Sequence, residues 1–347
     1  MKRKERYTVA VLGATGAVGQ AMMQTLERRN FPVGELRPLA SVRSAGKEVS
    51  FRGQSYTVRE VSEEAFEGID IALFSAGGDA SLEYAPMAVR QGAIVIDNSS
   101  AYRMDPEVPL VVPEVNPHAA FLHKGIIANP NCSTIQLMVA LSPLKTYGIE
   151  HINVSTYQAV SGMGQQAVDA LQREVASFLA GELGTTFFPT KSQAVHHPMA
   201  FNVLPQADVF LDNGYTKEEM KLLNESRKIL ELPNLNVTPT AVRVPVLYGH
   251  AESVAVRFAQ PVTAEDVRSC LKNALGVQLV DDPSQALYPH PRMAEGSGDT
   301  FVGRIRQDLA DAQTVLMFVV ADNILKGAAW NAVQIAELLV ERASVGE

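Results

Sequence analysis

The sequence predicts an α/β protein in which a doubly wound parallel sheet is followed by an α+β domain with a mostly antiparallel sheet. Strand-like and helix-like segments alternate through the first third of the chain, a pattern typical of parallel sheets. A glycine-rich turn directly follows the first apolar strand. From about residue 152 long β-rich runs separated by helices replace this alternation, which indicates a second domain.

The first domain is predicted from short apolar runs that alternate with amphipathic ones. The predicted strands are residues 7–12, 36–41, 69–74 and 93–97, with 110–112 and 125–128 as two further ones. The predicted helices are residues 18–29 and 80–90. This order of elements predicts one parallel sheet that is wound in both directions.

The second domain is predicted from β-rich runs at residues 152–160, 236–246 and 253–258 and from helices at 165–179, 216–230 and 264–275. A final helix over residues 323–342 carries Trp330 and several aliphatic residues, and we expect it to return to the first domain. The predicted organisation is therefore a first domain of residues 1–131 with the C-terminal helix 323–347, and a second domain of residues 132–322.

Composition excludes several classes of protein. The chain has 347 residues, of which 46% are hydrophobic and 20% charged, with a formal net charge of -8 and no basic stripe, so we expect no nucleic-acid partner. Two cysteines make no disulfide framework, which fits a reducing cytoplasm. No run of 18 apolar residues exists, and glycines interrupt the apolar run near the N-terminus, so neither a membrane span nor a secretory signal is expected.

The glycine-rich turn has the spacing of a dinucleotide loop. Gly13, Gly16 and Gly19 lie between the first strand and the first helix, with Thr15, Ala17 and Val18 among them. Glycines at these places allow a tight turn and a close approach of the backbone to a pyrophosphate at the helix N-terminus. The alternative is a plain strand-to-helix turn, but the flanking strand and helix favour a Rossmann-like dinucleotide site.

The end of the second strand indicates which dinucleotide binds. The segment Ser41-Val42-Arg43-Ser44 has no carboxylate, which a cofactor without a 2′-phosphate usually meets at this place. A cation and hydroxyls suit a 2′-phosphate, so NADP is favoured over NAD, unless Arg43 is only a solvated loop residue. After the third strand, Ser75 and Gly77 mark a second place where backbone could approach the cofactor, with a simple turn as the alternative.

Cys132 is the candidate nucleophile. It follows the turn-forming Asn129-Pro130-Asn131 and precedes a helical run that is predicted to be amphipathic. The amides and the dipole at a helix N-terminus favour a thiolate. Although most unpaired cysteines are buried as small apolar residues, these flanks predict a displayed thiol, whereas Cys270 is predicted to lie in the core. A nicotinamide cofactor and a reactive thiol together suit aldehyde oxidation or acyl reduction through a thioester.

His250 is the candidate acid/base. It follows Gly249 at a corner between two predicted strands, where we expect the imidazole to be displayed, and histidine is the usual residue for proton transfer near neutral pH. The adjacent residues His196 and His197 have no third potential ligand at a spacing typical of metal sites, so no metal site is expected.

Charged residues supply candidates for binding anions. Arg243 has the fork that suits a carboxylate, and Arg103 follows the carboxyl end of the fourth strand, where ligands of such sheets bind. Glu218 and Lys221 lie on one face of a predicted helix, and their spacing alone favours a solvated ion pair.

Together these segments resemble the aspartate-β-semialdehyde dehydrogenase family over nearly the whole chain. The matching motifs are G-A-T-G-A-V-G, S-A-G-G, N-P-N-C-S-T, Q-A-V-S-G, E-E-M-K, R-V-P-V-x-x-G-H and A-D-N-x-x-K-G-A-A. The motif around Cys132 and the Arg243 to His250 spacing are the specific ones, whereas the glycine loop is shared by many families.

The resemblance implies a role for each candidate residue. It implies Cys132 as nucleophile, His250 as acid/base and Gln158 as the residue that orients the thioester carbonyl. Arg243 would bind the substrate carboxylate and Glu218 its amino group. Phosphate would meet Arg103, Lys221 and Asn131, and the nicotinamide would meet Ser161, Gly162 and Asn323.

The implied reaction is the NADPH-dependent conversion of L-aspartyl-4-phosphate to L-aspartate 4-semialdehyde, in the biosynthesis of threonine, methionine and, through diaminopimelate, lysine. The implied partners are the small substrate, inorganic phosphate and a second copy of the chain, which residues 132–322 would bind. One alternative is an N-acetyl-glutamyl-phosphate reductase, which needs no amine partner such as Glu218. An alternative of another class is a non-catalytic NADP-sensing protein, in which Cys132 would have no unusual reactivity.

Overall fold

The structure, a computed structural model, describes residues 3–182, 184 and 186–345. These residues divide into two units, one formed by residues 3–131 with 328–345, the other by the described part of residues 132–327. Each unit is built on one six-stranded sheet, and the first unit has a small two-stranded sheet as well.

The first unit contains the predicted parallel sheet, with β1 in its interior. Its strands are β1 Tyr7–Leu12, β2 Val33–Ala40, β3 Glu48–Phe51, β4 Gln54–Thr57, β5 Arg59–Glu60, β6 Ile71–Phe74, β7 Ile94–Asp97 and β8 Ile126–Ala128. The main sheet has the order β5-β2-β1-β6-β7-β8, and every neighbouring pair in it is parallel. The helices of this unit are α1 Ala17–Arg28, α2 Gly78–Arg90 and the C-terminal helix Trp330–Val345. The parallel sheet predicted from the alternation is therefore confirmed.

Burial explains why these strands read as continuous apolar runs. All four residues of β6 and all four of β7 are buried, as expected for central strands covered on both faces. The predicted strand at 110–112 is wrong: Leu110 makes only an isolated parallel bridge to Ala128. The hairpin β3–β4 and the short β5 were not predicted, because their exposed polar residues give no apolar run.

The C-terminal helix packs on α1 within the first unit. The Trp330 ring lies 4.5 Å from the Arg29 guanidinium, which also pairs with Glu337. The helix does not begin at residue 323 as predicted. The carboxylate of Asp322 accepts the amide hydrogens of Ile324 and Leu325, which fixes a turn, and a π-helical segment Leu325–Ala329 follows before the α-helix starts.

The second unit contains a mixed sheet. Its strands are β9 Ile149–Gln158, β10 Asn236–Arg243, β11 His250–Phe258, β12 Val277–Leu279, β13 Thr300–Gln307 and β14 Thr314–Ala321. Its helices are α3 Cys132–Leu141, α4 Gln165–Leu179, α5 Lys217–Leu230, α6 Ala264–Leu271 and α7 Pro291–Ala294. The order is β10-β9-β11-β14-β13-β12, with antiparallel pairs in the middle and a parallel pair at each edge. The α+β prediction is confirmed.

α3 differs from its prediction in a way that matters for the site. Every residue from Ser133 to Leu141 is buried, so the helix is enclosed rather than amphipathic. It contacts β11, β13 and β14, so it lies on the middle of the sheet. Cys270, predicted to be a core residue, is only half-buried and its thiol donates a hydrogen bond to the Pro143 carbonyl.

Among the helices of the described part of the chain, none has the length and apolar character needed to cross a bilayer.

Candidate active site

Cys132 is the first residue of α3 and is partly exposed. The first turn of α3 contains no acidic residue that would oppose a thiolate at the positive end of the helix dipole. The π-helical segment approaches this cysteine closely: a Cβ added to Gly327 would lie 2.6 Å from the Cys132 Cβ. The backbone at residue 327 thus fixes one side of the nucleophile, and only glycine leaves room for it.

Gln158, the last residue of β9, joins α3 to α5. Its Nε2 donates to Ser133 Oγ at 2.7 Å and to Glu218 Oε1 at 2.8 Å, and the side chain is buried. The structure thereby brings Gln158 and Glu218 together beside the residue that follows Cys132.

Helix α5 is held so that Glu218 points into this cluster. Thr216 and Glu219 form a capping box at its N-terminus. Glu219 also accepts the amide hydrogen of Ala241 on β10, which ties the first turn of the helix to that strand. The position of Glu218 in the first turn is therefore set by local sequence and by the sheet.

Glu218 is buried and paired rather than solvated. Lys221 Nζ donates to Glu218 Oε2 at 2.9 Å and to Asp208 Oδ2 at 3.1 Å. Burial raises the pKa of Glu218, but the charge of Lys221, the hydrogen bonds from Gln158 and Lys221 and the charge of Arg243 outweigh burial, so the net pKa is lowered. The carboxylate is therefore ionised, and the surface pair expected from helical spacing alone is wrong.

Arg243 ends β10 and lies beside Gln158 in the parallel register of β10 and β9. Its Nη1 donates to the Ala159 carbonyl at 2.8 Å. Burial lowers the pKa of Arg243, and attraction to Glu218 and to the Cys132 sulfur opposes this effect. The guanidinium is thus a buried cation in the cluster that also contains the nucleophile.

His250 begins β11 and is fully buried, so the expectation of a displayed imidazole is wrong. Its Nδ1 accepts the amide hydrogen of Ala159 at 3.0 Å. A neutral imidazole that accepts at Nδ1 carries its proton on Nε2. Burial and the charge of Arg243 lower the pKa of His250 to about 3, with a smaller opposing effect from Glu218, so the ring is neutral at physiological pH.

The side chains of Arg243 and His250 both lie against the backbone at Gly162. A Cβ at Gly162 would lie 3.2 Å from Arg243 Nη1 and 3.3 Å from His250 Nε2. Three buried atoms in this cluster have no hydrogen-bond partner in the part of the chain that the structure describes: Gln158 Oε1, Arg243 Nε and His250 Nε2. One acceptor, on Gln158, and two N–H donors, on Arg243 and His250, therefore lie in one region of the second unit and are available to a substrate.

Ser161 and Asn323 are placed together near His250. The Asn323 side-chain amide and the Ser161 hydroxyl are hydrogen-bonded, and Asn323 Oδ1 accepts the Gly249 amide hydrogen at 2.9 Å. Asn323 therefore holds the glycine that precedes His250, and Ser161 holds Asn323. Their contact with a nicotinamide stays a prediction.

In the first unit, the glycine loop has the geometry expected of a dinucleotide loop. Gly13 has φ +86° and a Cβ there would lie 2.9 Å from the Ser75 carbonyl oxygen, while a Cβ at Gly19 would lie 2.2 Å from the Gly13 carbonyl oxygen. Helix α1 begins after Gly16 with no side-chain cap and no acidic residue in its first turn. Its N-terminal amides suit an anion, so the residues present fit a pyrophosphate, with Thr15, Ala17 and Val18 beside it in sequence.

Two further loops of the first unit carry predicted cofactor residues. Ser41, Arg43 and Ser44 form a turn directly after β2, in which the Ser44 amide donates to the Ser41 carbonyl and Arg43 is exposed. After β6, the Ser75 hydroxyl donates to the Leu12 carbonyl, and Gly77 has φ +92° at the start of α2. The Ser75 contact places this second loop beside the glycine loop.

Arg103 and Asn131 also belong to the first unit. Arg103 is buried and donates to the backbone carbonyls of Asn98 and Asn129 at 2.9 Å each. The Asn129 side chain is bonded to Asn331 of the C-terminal helix, which anchors the strand end that leads to Asn131. These contacts fix the segment before Cys132, whereas the phosphate role of Arg103, Asn131 and Lys221 stays a prediction.

Sequence reasoning missed two residues of the cluster. Ala159 bonds both His250 and Arg243 through its backbone, and a backbone role leaves no trace in residue type. Asp208, the second partner of Lys221, comes from an irregular segment with no periodicity. As for metals, the described residues contain no group of three or more His, Cys, Asp or Glu placed to hold an ion.

Two family models match the chain. The model described as semialdehyde dehydrogenase, NAD binding domain, matches residues 8–123, and the one described as semialdehyde dehydrogenase, dimerisation domain, matches residues 141–326. A protein of Bacillus subtilis (strain 168) named aspartate-semialdehyde dehydrogenase is 56% identical over 334 residues, which are 95% of this chain and 96% of the relative.

Solved structures show the same likeness. The crystal structure of aspartate semialdehyde dehydrogenase II complexed with ASA from Vibrio cholerae has a TM-score of 0.92 and 48% identity, and covers 97% of this chain and 99% of that chain. The crystal structure of aspartate semialdehyde dehydrogenase with NADP from Candida albicans has a TM-score of 0.71 and 27% identity, with coverage of 96% and 98%.

Proposed function

Because this chain belongs to the aspartate-semialdehyde dehydrogenase family, we propose that it catalyses the reductive dephosphorylation of L-aspartyl-4-phosphate to L-aspartate 4-semialdehyde. The observation that carries this proposal is the cluster around Cys132. It contains a thiol at a helix N-terminus, a neutral buried histidine, and an arginine and a glutamate that are both neighbours of Gln158. The reaction belongs to the biosynthesis of lysine, threonine and methionine.

The first step forms a thioester on Cys132. The thiolate attacks the acyl carbon of the acyl phosphate, a carbon–sulfur bond forms, and the carbon–oxygen bond to phosphate breaks, so inorganic phosphate leaves. The helix dipole of α3 and the positive charge of Arg243 favour the thiolate. The amide of Gln158 is placed beside Ser133 and orients the carbonyl that is attacked.

The second step reduces the thioester. When bound, reduced nicotinamide supplies the hydride. His250 then donates the Nε2 proton to the oxygen of the tetrahedral intermediate, a role that suits the tautomer fixed by Ala159. As the carbon–sulfur bond of this thiohemiacetal breaks, its hydroxyl returns the proton to His250, the aldehyde forms and the Cys132 thiolate is restored. In reverse, phosphate attacks the thioester.

The fixed charges of the substrate match the cluster. The unpartnered Nε of Arg243 is a donor for the α-carboxylate, and the ionised Glu218 is an acceptor for the ammonium group. Phosphate is proposed to bind Arg103, Asn131 and Lys221, whose charge or amide hydrogens suit an anion. A substrate with a blocked amino group has no ammonium group for the Glu218 carboxylate to bind, which disfavours an N-acetyl-glutamyl substrate.

A nicotinamide dinucleotide is the cofactor of this family, and we propose NADP as the preferred form. The exposed Arg43 between Ser41 and Ser44 supports this preference, since a 2′-phosphate needs a cation and hydroxyls. The Candida albicans relative was solved with NADP. The proposed contacts are those of the glycine loop, Ser75 and Gly77, with Ser161, Gly162 and Asn323 at the nicotinamide.

We propose a homodimer that forms through the second unit. Its residues match a dimerisation domain, and several large apolar side chains of this unit are exposed: Phe178, Leu179, Val195, Phe201, Val203 and Phe210. The rings of Phe178 and Phe201 lie 4.7 Å apart, so part of this set is contiguous. A reactive thiol needs a reducing compartment, and we propose the cytoplasm.

The test is a coupled assay of NADP reduction with aspartate semialdehyde, with and without phosphate or arsenate. The proposal predicts turnover that depends on the anion and on NADP. N-acetylglutamate semialdehyde serves as the competing substrate, and preference for it would favour the reductase alternative. A protein that only senses NADP would turn over neither aldehyde.

A further inference from the structure

A second carboxyl group is buried two residues beyond His250 on β11. Glu252 has no solvent exposure, and it pairs with Thr156 on β9 and with Val319 on β14, so it lies in the interior of the sheet. Within the described residues, neither carboxyl oxygen makes a hydrogen bond, and the Thr156 hydroxyl makes none. Burial of a carboxyl group in this state is costly, and the steps proposed above leave it without a role.

The register places Glu252 under α3. Gln158 donates to Ser133 of α3, so this face of β9 meets that helix. Thr156 lies two residues before Gln158 on the same face, and Glu252 is directly opposite Thr156 in the antiparallel pair. Gln136 is three residues after Ser133, on the same side of α3. The sheet and the helix thus bring the ends of Glu252 and Gln136 together.

The side-chain amide of Gln136 is the polar group that affects the pKa of the Glu252 carboxyl. Burial raises the pKa of Glu252 well above its usual range, and the Gln136 amide lowers it by a smaller amount. Burial therefore favours the protonated form of the carboxyl, which has one donor and one acceptor. The Gln136 amide also has both, it is fully buried, and neither its Nε2 nor its Oε1 makes a hydrogen bond within the described part of the chain. The donor and acceptor of the Glu252 carboxyl group therefore match the acceptor and donor of the Gln136 amide.

We propose that Glu252 is a positioning residue for the nucleophile, acting through Gln136 on the helix that begins at Cys132. Gln136 lies one turn beyond Cys132 on α3, which is short, enclosed and has its first residue at the reacting centre. In this proposal the two ends, which the register places on facing sides of the sheet and the helix, close into a cyclic pair of hydrogen bonds when the carboxyl is protonated, and this pair sets the depth and rotation of the turn. The inference rests on the proposed function, since it takes Cys132 as the nucleophile.

The test compares Glu252→Gln, Glu252→Leu and Glu252→Asp, all in a Cys270→Ser background so that Cys132 is the remaining thiol. Two quantities are measured: kcat with aspartate semialdehyde, and the rate of alkylation of Cys132 by iodoacetamide across pH. Glutamine keeps a donor and an acceptor without an ionisable group, so it should retain kcat and the alkylation profile within about twofold. Leucine and the shorter aspartate should lower kcat by on the order of tenfold to a hundredfold, as misplacement of a reacting group does.

Gln136→Leu and the double variant Gln136→Leu/Glu252→Leu complete the test. The account predicts that the double variant loses no more activity than either single variant, because both remove the same contact. Independent losses that add would contradict it. So would a Glu252→Gln enzyme as impaired as Glu252→Leu, which would indicate that the ionised carboxylate is needed.

The alkylation rate separates this inference from the proposed function. It reports on the position and reactivity of the Cys132 thiol whatever the substrate is. If the unmodified protein turned over no aldehyde, the proposed function would fail, while changed alkylation in Glu252→Leu would still support the positioning role. If Glu252→Leu does not fold, Gln136→Leu and Glu252→Asp carry the same comparison from the helix side and from the sheet side. Normal kcat and normal alkylation in both would overturn the proposal.

Discussion

The backbone amide of Ala159 donates a hydrogen bond to Nδ1 of His250, at 3.0 Å, in the interior of the second unit. A backbone N–H cannot give up its proton, so this contact fixes the tautomer of the imidazole with hydrogen on Nε2. The same residue accepts a hydrogen bond from Arg243 through its carbonyl. One peptide segment therefore sets the positions of both the proposed acid and the proposed carboxylate-binding cation.

His250 should reduce the acid stability of the protein. Its pKa is 6.5 when unperturbed and about 3 in the fold, so between these values the unfolded chain binds a proton that the folded protein does not. Stability is then fully present above pH 6.5 and falls as pH decreases, by about 1.4 kcal/mol per pH unit.

The measurement is the thermal midpoint of the wild type and of His250→Asn from pH 7 to pH 4. We expect the wild type to lose stability relative to the variant as the pH falls, and parallel curves would contradict this account of the buried imidazole. The variant should also lose about 10² to 10⁴ in kcat, as expected for removal of a general acid.

Lys221→Met should leave the buried Glu218 charge poorly compensated. Lys221 lowers the pKa of Glu218 both by its charge and by a hydrogen bond, so its loss costs about 1–3 kcal/mol of stability and weakens binding of the substrate ammonium group. The readouts are the thermal midpoint and KM for aspartate semialdehyde.

The control for this change is the double variant Glu218→Gln/Lys221→Met. Removing both charges should restore much of the stability while KM stays high, because the ammonium group still lacks its carboxylate. A double variant as active as the wild type would rule out Glu218 as the amine partner.

Gly327→Ala should displace Cys132. The added Cβ would lie 2.6 Å from the Cys132 Cβ, so either the π-helical segment or the first turn of α3 must move. We expect kcat to fall by about 100-fold, measured with saturating substrates. Gly184→Ala is the matched control, since a Cβ there meets nothing within 4 Å. Equal activity of both variants would show that the close approach has no catalytic consequence.

Arg43→Ala should weaken NADP more than NAD. A charge-assisted hydrogen bond to a 2′-phosphate contributes about 1.5–3 kcal/mol, so kcat/KM for NADP should fall roughly 10- to 100-fold while that for NAD changes little. Arg173→Ala, which removes an exposed arginine of α4, is the control for net charge. A fall of the same size for both cofactors would exclude a 2′-phosphate contact.

The parallel sheet could be predicted because its central strands β1, β6 and β7 are buried on both faces and are therefore largely apolar. The hairpin β3–β4 could not be predicted, because exposed polar residues interrupt it and leave no continuous apolar run. The start of the C-terminal helix was placed seven residues too early, since the turn held by Asp322 depends on backbone contacts that residue type does not reveal.

The residues of the site likewise fall into two groups, those that the sequence predicts and those that only packing between distant segments reveals. Cys132 and His250 stand out by residue type and by their flanks, so sequence alone makes them candidates. Glu218 and Lys221 appear as an ordinary surface pair until Glu219 ties α5 to β10 and turns that face inward. Burial of His250, the backbone role of Ala159 and the unpartnered Glu252 depend on packing between distant segments, which no local pattern encodes.

The most direct test of the central claim is detection of an acyl group on Cys132. With aspartate semialdehyde and NADP but no phosphate, the thiolate would add to the aldehyde, and the thiohemiacetal would lose its hydroxyl proton to His250 and its hydride to the oxidised nicotinamide. The resulting thioester would have no phosphate to release it. We predict a burst of about one NADPH per chain and a peptide containing Cys132 that is heavier by one aspartyl group. Cys132→Ser should give neither, although it should still bind NADP. A burst of the same size in Cys132→Ser, or an acyl group on another residue, would contradict the account.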